Sequence, residues 1–390
     1  AYFAQFELDV PAVAMVTASH NENGWTGVKM GADRPRTFGP DEMGRLKEIV
    51  LAAAFDLSGG GSYEFVEGFA QRYMDDLVQN RKIKRPLKVV AACGNGTAGA
   101  FAPDVLARLG VEVVPLDTEL DFTFPKYNPN PEDLEMLHAI RDAVLEHKAD
   151  VGFGFDGDGD RCGVIDEKGQ EIYADVVGVM LARDLSRLHP NVKSTGLYQT
   201  DPVLKENGAH IDYWKTGHSH IKRRVTELKA IAGFEKSGHF FFNPPVGRGY
   251  DDGLISAIDI MEMLDRNPSK SMSDLRGELQ KTWQTPTMSP HCDDETKYGV
   301  VDKVVQRFQD MKAAGETVAG HAIEDLITVN GVRVVSDDGT WGLVRASSNK
   351  PELVVVIESP VSEARMREMF KAVDAVLREN PEVGAYNQTI

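Results

Sequence analysis

The stretch that decides the fold runs from residue 86 to residue 155: PLKVVAAC (86–93), AFAPDVLARL (100–109), VEVVPLD (111–117), PEDLEMLHAIRDAVLEHK (131–148) and DVGFGF (150–155). Short apolar runs alternate with amphipathic segments, so the region predicts a β-α-β-α-β series, the mark of layered α/β architecture. Working outward, VAMVTASH (13–20) predicts a buried strand running into a loop, and PDEMGRLKEIVLAAAF (40–55) a helix opened by proline. Downstream, YADVVGVMLARDLSRL (173–188), SHIKRRVTEL (219–228) and DDGLISAIDIMEMLDR (251–266) predict helices, with HIDYW (210–214) as a strand. Beyond Pro286 the pattern changes to two-residue alternation with Asp-Gly turn chemistry in 327–348, the strand ELVVVIES (352–359) and a closing helix over 363–380. The expected class is α/β, in four parts: 1–64, 65–170, 171–285 and a smaller α+β part over 286–390.

Two places depart from this alternation. The first strand is reached within about fifteen residues, fewer than its sheet partners would need, so the first part reads as the remnant of a domain. LSRLHPN (185–191) passes straight into VKSTGL (192–197) where a buried strand is expected. That predicts a break in the ordered chain between Asn191 and Val192.

With 390 residues, 42% hydrophobic and 26% charged, the chain suits a globular protein of several domains. A formal net charge of −17 argues against nucleic acid or an anionic membrane as partner, since both require a basic surface. A phosphorylated ligand must then meet local positive charge. Cys93, Cys162 and Cys292 are scattered and odd in number, which indicates neither a disulfide framework nor a zinc site and fits a reducing cytoplasm. No apolar run approaches the ~20 residues of a membrane helix, and no leader is evident at the start.

The strongest metal signal is FGFDGDGDR (153–161). Asp156, Asp158 and Asp160 alternate with glycines, so in an extended loop at a strand end the carboxylates can converge, and hard oxygen ligands of this kind suit Mg²⁺. A calcium loop of EF-hand type is the competing assignment, since Glu167 falls at the twelfth position. Arg161 stands at the sixth, however, where that loop needs glycine, and a strand precedes it.

TASHN (17–21) places the hydroxyl of Ser19 in a polar turn beside His20 and Asn21, with Lys29 ten residues on. A lysine there can assist proton transfer, although turn-forming and solvated roles suit the same residues. GFEKSGH (233–239) sets Glu235 and Ser237 two apart, able to bind neighbouring hydroxyls, next to Lys236 and His239. Lys215, Thr216, Gly217 and His218 lie at a strand-to-helix junction, where helix amides favour anions. RASSNKP (345–351) offers Arg345 for a phosphate, with further donors from Ser347, Ser348 and Asn349. A rival signal is CGNGTAG (93–99): its glycines have G-x-G-x-x-G spacing and Asp117 ends the next strand, as a nicotinamide site requires, though a tight turn uses the same glycines.

In this order, TASHN, DGDGDR, EKSGH and RASSNKP resemble the four active-site loops of the α-D-phosphohexomutase superfamily, most of all its bacterial phosphomannomutase/phosphoglucomutase members. The resemblance covers essentially the whole chain. It implies three similar mixed α/β domains, the first truncated, and a smaller fourth, each giving one loop to a central cleft. It implies interconversion of hexose 1- and 6-phosphates, of mannose or glucose, through a phosphorylated Ser19 and a hexose 1,6-bisphosphate, which also serves as activator. By the same resemblance Ser19, Asp156, Asp158 and Asp160 hold Mg²⁺, Lys29 is the general acid/base with His20 beside it, and Arg161 adjoins the transferring group. Glu235, Lys236 and Ser237 form the sugar loop; Lys193, Thr216, Gly217, His218 and His239 line the cleft; and Arg345, Ser347, Ser348 and Asn349 clamp the distal phosphate. The implied partner is a small sugar phosphate, and the implied assembly a monomer or homodimer.

Two positions depart from the family pattern: Glu22 stands where proline usually follows, and Phe234 where glycine usually precedes the glutamate. The upstream segment that carries a further phosphate-binding arginine in the family has no counterpart in the sequence. Phosphoglucosamine mutase is the nearest rival, because its sugar loop shares the E-x-S-G-H form. A nicotinamide oxidoreductase and a non-catalytic sugar-phosphate binder are the readings from other classes.

Overall fold

The computed structural model describes residues 1–19, 21, 24–196, 201–347 and 350–388. His20, Glu22, Ser348 and Asn349, singled out above, lie outside them. The chain forms two compact units, Ala1–Leu279 and Gln280–Ile390, each taken by itself below.

The first unit begins with α1 (Tyr2–Glu7), the hairpin β1 (Ala12–Thr17) and β2 (Gly27–Ala32), then α2 (Pro40–Leu51) and α3 (Phe69–Val78). The predicted α/β series follows: β3 (Lys88–Ala92), a short 3₁₀ turn, α4 (Ala102–Arg108), β4 (Glu112–Leu116), α5 (Leu134–His147) and β5 (Val151–Phe155). The chain then turns back through β6 (Cys162–Asp166) and β7 (Glu171–Ile172). Next come α6 (Ala174–Leu188), β8 (Lys193–Thr195), α7 (Pro202–Glu206), β9 (His210–Asp212), α8 (His218–Leu228), β10 (Ala232–Phe234), β11 (Phe240–Phe242), α9 (Gly253–Arg266) and α10 (Met272–Gly277).

Strand β5, and β3 after its opening Lys88, are apolar and buried because helices cover both faces of their sheet, ordered β4-β3-β5-β6-β7. The β3 pairings with β4 and β5 are parallel, and β6 returns antiparallel to β5. The next sheet, β11-β10-β8-β9, repeats that plan: β10, β8 and β9 run parallel and β11 returns antiparallel to β10. Each of these sheets therefore turns back on its parallel strands through a hairpin, with β7 adding a second one in the first sheet, and β1-β2 is a hairpin too.

Three expectations are corrected. β1 is not buried: its residues alternate, with Val16 74% exposed, because β2 is the only strand paired with it among the described residues. The strand missed after α6 is KST itself, too polar to be recognised, with Ser194 and Thr195 buried between β9 and β10. The alternation is unbroken there, and the motive for a break at Asn191–Val192 falls away. The helix α9 starts at Gly253, not Asp251, because Asp252 caps it by accepting from the amides of Leu254 and Ile255.

The second unit is one antiparallel sheet. Its elements are β12 (Trp283–Gln284), α11 (Lys297–Ala313), β13 (Thr317–Val318), β14 (His321–Ile327), β15 (Val332–Ser336), β16 (Trp341–Ala346), β17 (Leu353–Ser359) and α12 (Glu363–Leu377), with strand order β12-β17-β16-β15-β14-β13. Its core joins Val344, Val355 and Ile357 of the sheet to Phe308 and Met369 of the two helices.

Candidate active site

The candidate loops share a topological address. TASHN leaves β1 for β2, DGDGD joins β5 to β6, EKSG joins β10 to β11, and in the second unit RASSNKP joins β16 to β17. Each is thus the turn of an antiparallel hairpin. Within the first unit the three loops converge.

Ser19 is drawn onto the carboxylate loop by its own backbone. A Cβ built on Gly157 would overlap the Ser19 carbonyl oxygen, so only glycine allows this approach. Thr17 ties the two loops together: its hydroxyl donates to Asp158 Oδ2 at 2.9 Å and accepts from the Ser19 amide at 2.8 Å. The amide of Asn21 closes the turn onto the Ala18 carbonyl at 3.0 Å, and Ser19 is held at φ 56°, an uncommon region for a residue with a side chain.

Asp156, Asp158 and Asp160 present oxygens within 4.8 Å of one another. Asp156 is fully buried and accepts from the Arg161 amide at 3.1 Å and Nε at 2.7 Å. Lys29, from β2, donates to Asp158 Oδ2 at 2.8 Å and Asp160 Oδ2 at 2.6 Å. The second oxygens of Asp158 and Asp160 are buried and accept no hydrogen bond among the described residues. Burial of bare carboxylate oxygens is costly, and such a donor set fits a hard divalent cation.

Charge interactions within the cluster push its members apart. Burial pulls the Lys29 ammonium down, but Asp160 and Asp158 outweigh it and hold it well above the ordinary lysine value. Burial, with the charges of Asp160 and Asp156, raises Asp158. Asp160 feels burial too, yet Lys29 and His239 hold it below the usual carboxylate range.

Arg161 carries the carboxylate loop into the EKSGH loop. It is 1% exposed, its Nη1 donates to the Ser237 carbonyl at 3.4 Å, and the Cys162 amide bonds the Gly238 carbonyl at 3.1 Å. Glu235, 4% exposed, accepts from the Gly217 amide, and Ser237 Oγ lies 3.4 Å from its other oxygen. That bond brings the junction before α8, with Thr216, Gly217 and His218, against the EKSGH loop. His218 packs 5.9 Å from His239, ring to ring, and burial drops it to about 3. Burial acts the same way on His239, but Asp160 and Asp251 lift it to about 9. Lys236 is half-buried and lies over the Tyr173 ring, 5.4 Å from its centre. Phe234 packs on Gly178 of α6 and edge-on to Phe240, so the departure from glycine is absorbed on the helix side of the sheet.

Lys193 is placed differently. It opens β8, exposed, at the end where the parallel strands enter, whereas Glu235 lies where β10 leaves. In the second unit Arg345 Nη1 donates to the Ala346 carbonyl at 3.2 Å, and Ser347 is buried, its hydroxyl accepting from the Lys350 amide at 3.3 Å.

The rival glycine turn is occupied by protein. A Cβ on Gly96 would press on Gly157 of the carboxylate loop, and one on Gly99 would overlap the Thr118 carbonyl. Asp117 is engaged by Tyr127 at 2.7 Å and by Lys126. These glycines serve packing, and the oxidoreductase reading finds no support. Thr17, Lys222 and Asp251 were not singled out from sequence. Thr17 belongs to the TASHN motif, but Asp251 reads from sequence as the first residue of a helix.

Layered α/β domains whose hairpin loops meet at a carboxylate cluster are an arrangement that comparison with known proteins identifies. The four domain descriptions of the phosphoglucomutase/phosphomannomutase family match in order: alpha/beta/alpha domains I, II and III over residues 1–56, 71–169 and 175–283, and the C-terminal domain over 294–376. The chain belongs to the phosphoglucomutase/phosphomannomutase family. It is 33% identical to a phosphomannomutase/phosphoglucomutase of Pseudomonas putida over 98% of its own length and 80% of that protein's. It is 32% identical to a phosphoglucomutase of Neisseria meningitidis over 97% and 80%. A crystal structure of a phosphoglucomutase/phosphomannomutase family protein from Burkholderia thailandensis superposes with a TM-score of 0.83 at 31% identity, covering 95% of this chain and 76% of that one.

Proposed function

We propose that the protein is a phosphohexomutase that moves a phosphoryl group between the 1- and 6-positions of mannose or glucose phosphate by way of phosphorylated Ser19. The observation that carries this reading is the seating of the Ser19 turn on Gly157 and, through Thr17, on Asp158. The turn thereby holds Ser19 beside the loop of three carboxylates, the position a phosphoryl carrier needs.

Phosphoryl transfer needs positioning and charge neutralisation more than covalent chemistry. The phosphorus–oxygen bond to Ser19 breaks as a bond to the free sugar hydroxyl forms. Lys29 takes the hydroxyl proton as the neutral amine, a form its ion pairs with Asp158 and Asp160 disfavour until a cation would replace its ammonium there. The reverse step, with the bisphosphate turned end for end, returns the other phosphoryl group to Ser19. Arg161, fixed by Asp156, supplies positive charge beside the transferring group. Glu235 and Ser237 hold sugar hydroxyls in either orientation; Thr216, Gly217, His218 and His239 line the same side, with Lys236 at the variable position. Lys193 would need its long side chain to take part. Arg345 and Ser347, with Ser348 and Asn349, are assigned the distal phosphate, and His20 a place beside Ser19.

Asp156, Asp158 and Asp160, with an oxygen from the Ser19 side chain, would hold Mg²⁺. When bound, that ion neutralises developing phosphoryl charge. Hexose 1,6-bisphosphate is the matching activator, because it phosphorylates Ser19. No described helix is long and apolar enough to cross a membrane. The three cysteines are free and buried, which suits a cytoplasmic enzyme, and a monomer or homodimer is the proposed assembly. The four-part division at 64, 170 and 285 belongs to the same proposal.

A coupled assay with mannose 1-phosphate, glucose 1-phosphate and glucosamine 1-phosphate, with Mg²⁺ and a trace of bisphosphate, tests this reading. Turnover of the first two above the third is expected; turnover of none overturns it.

A further inference from the structure

Behind the sugar loop lies a charged group that the proposed chemistry does not use. Lys222 of α8 and Asp251, just ahead of α9, form an ion pair at 2.7 Å with both side chains fully buried. The Lys222 ammonium lies over the Tyr2 ring, 3.9 Å from its centre, and 5.9 Å from that of Phe241. Asp251 pairs by its backbone with Phe241, whose ring stacks on His239 at 6.3 Å. The other Asp251 oxygen lies 2.9 Å from His239 Nδ1, while Asp160 Oδ1 lies 3.7 Å from that same nitrogen.

A fully buried ion pair seldom contributes net stability, because desolvation of two charges offsets their attraction. Its placement suggests another task. Two carboxylates compete for one imidazole nitrogen, and the nearer of them is held by lysine. We propose that Asp251, itself fixed by Lys222, is a positioning residue that orients the His239 ring and keeps it from closing on Asp160, leaving that oxygen for a cation. A carboxylate beside one ring nitrogen fixes how the ring lies, and so decides where the other nitrogen points. The pair would thus act on both the sugar side, through His239, and the metal side, through Asp160. This rests on the assignment of Asp160 as a metal ligand.

Asp251→Asn keeps the shape and removes the charge. With histidine-selective ¹⁵N labelling, and His239→Gln to assign the signal, the ring-nitrogen signals of His239 are expected to shift in Asp251→Asn at the same pH, as the ring moves from residue 251 toward Asp160. Mg²⁺ binding, followed by calorimetry, is expected to weaken about tenfold, and kcat to fall about 10- to 100-fold with KM nearly unchanged, the range typical of outer partners of ligating groups. Since Asp251→Asn strands Lys222, the double variant Lys222→Met/Asp251→Asn is the control. It should regain the melting temperature but neither the nitrogen signals nor kcat. Recovery of kcat along with stability, or His239 signals unchanged in Asp251→Asn, would overturn the proposal. An inactive wild type would count against the mutase reading, and the nitrogen signals and Mg²⁺ binding would still decide the role of Asp251.

Discussion

The Ser19 carbonyl oxygen occupies the space that a side chain on Gly157 would need. The Ser19 turn and the carboxylate loop, 138 positions apart in sequence, are registered by this backbone contact together with the Thr17 bridge to Asp158. Gly157→Ala should push the Ser19 turn away without touching any reacting group. A displacement of about 1 Å at a reacting centre can cost around 100-fold. We expect kcat to fall by that order while circular dichroism and the thermal transition report a folded protein; unchanged kcat would show that the contact does not set the geometry.

A divalent cation held by Asp158 and Asp160 would compete with Lys29, whose ammonium holds Asp158 Oδ2 and Asp160 Oδ2. Lys29→Met should therefore bind Mg²⁺ more tightly, by roughly tenfold or about 1.4 kcal/mol, while turnover falls. Calorimetry against an unreactive background measures the first and the coupled assay the second. Weaker Mg²⁺ binding in the variant would mean that Lys29 organises the carboxylates instead of competing for them.

Much of this site was legible because chemistry and turn signals coincide in short runs. DGDGD between two apolar strands, and EKSGH after AIAG, could be placed from pattern alone. The polar strand KST was not legible, because its burial comes from β9 and β10 on either side and not from its own composition. Val16 misled for the opposite reason: an apolar residue in an alternating strand reads as core, but it lies exposed. Asp251 was hidden by adjacency to Asp252, the true helix cap, since nothing in DDG tells which aspartate caps and which turns inward. Lys193 shows the limit of carrying a motif across: the matched letter is present, yet it stands at the far end of its strand from the Glu235 turn.

Stability should depend on pH through Asp259, remote from the site. Burial raises its carboxyl to about 7, against the pull of Arg81. A raised acid binds its proton more tightly in the folded chain, so its effect on stability is absent below the unfolded value near 4 and grows as pH rises toward 7. Asp259→Asn should thus gain stability relative to the wild type between pH 5 and pH 8, as read from denaturant midpoints. A constant difference across that range would place the titration elsewhere.

The most direct test of the central claim is transfer of label from hexose 1,6-bisphosphate carrying ³²P to the protein in the presence of Mg²⁺, followed by peptide mapping. The account predicts label on the peptide containing Ser19, chased by unlabelled sugar monophosphate and lost in Ser19→Ala together with turnover. Label on another residue, or a turning-over protein that never takes up label, would contradict it.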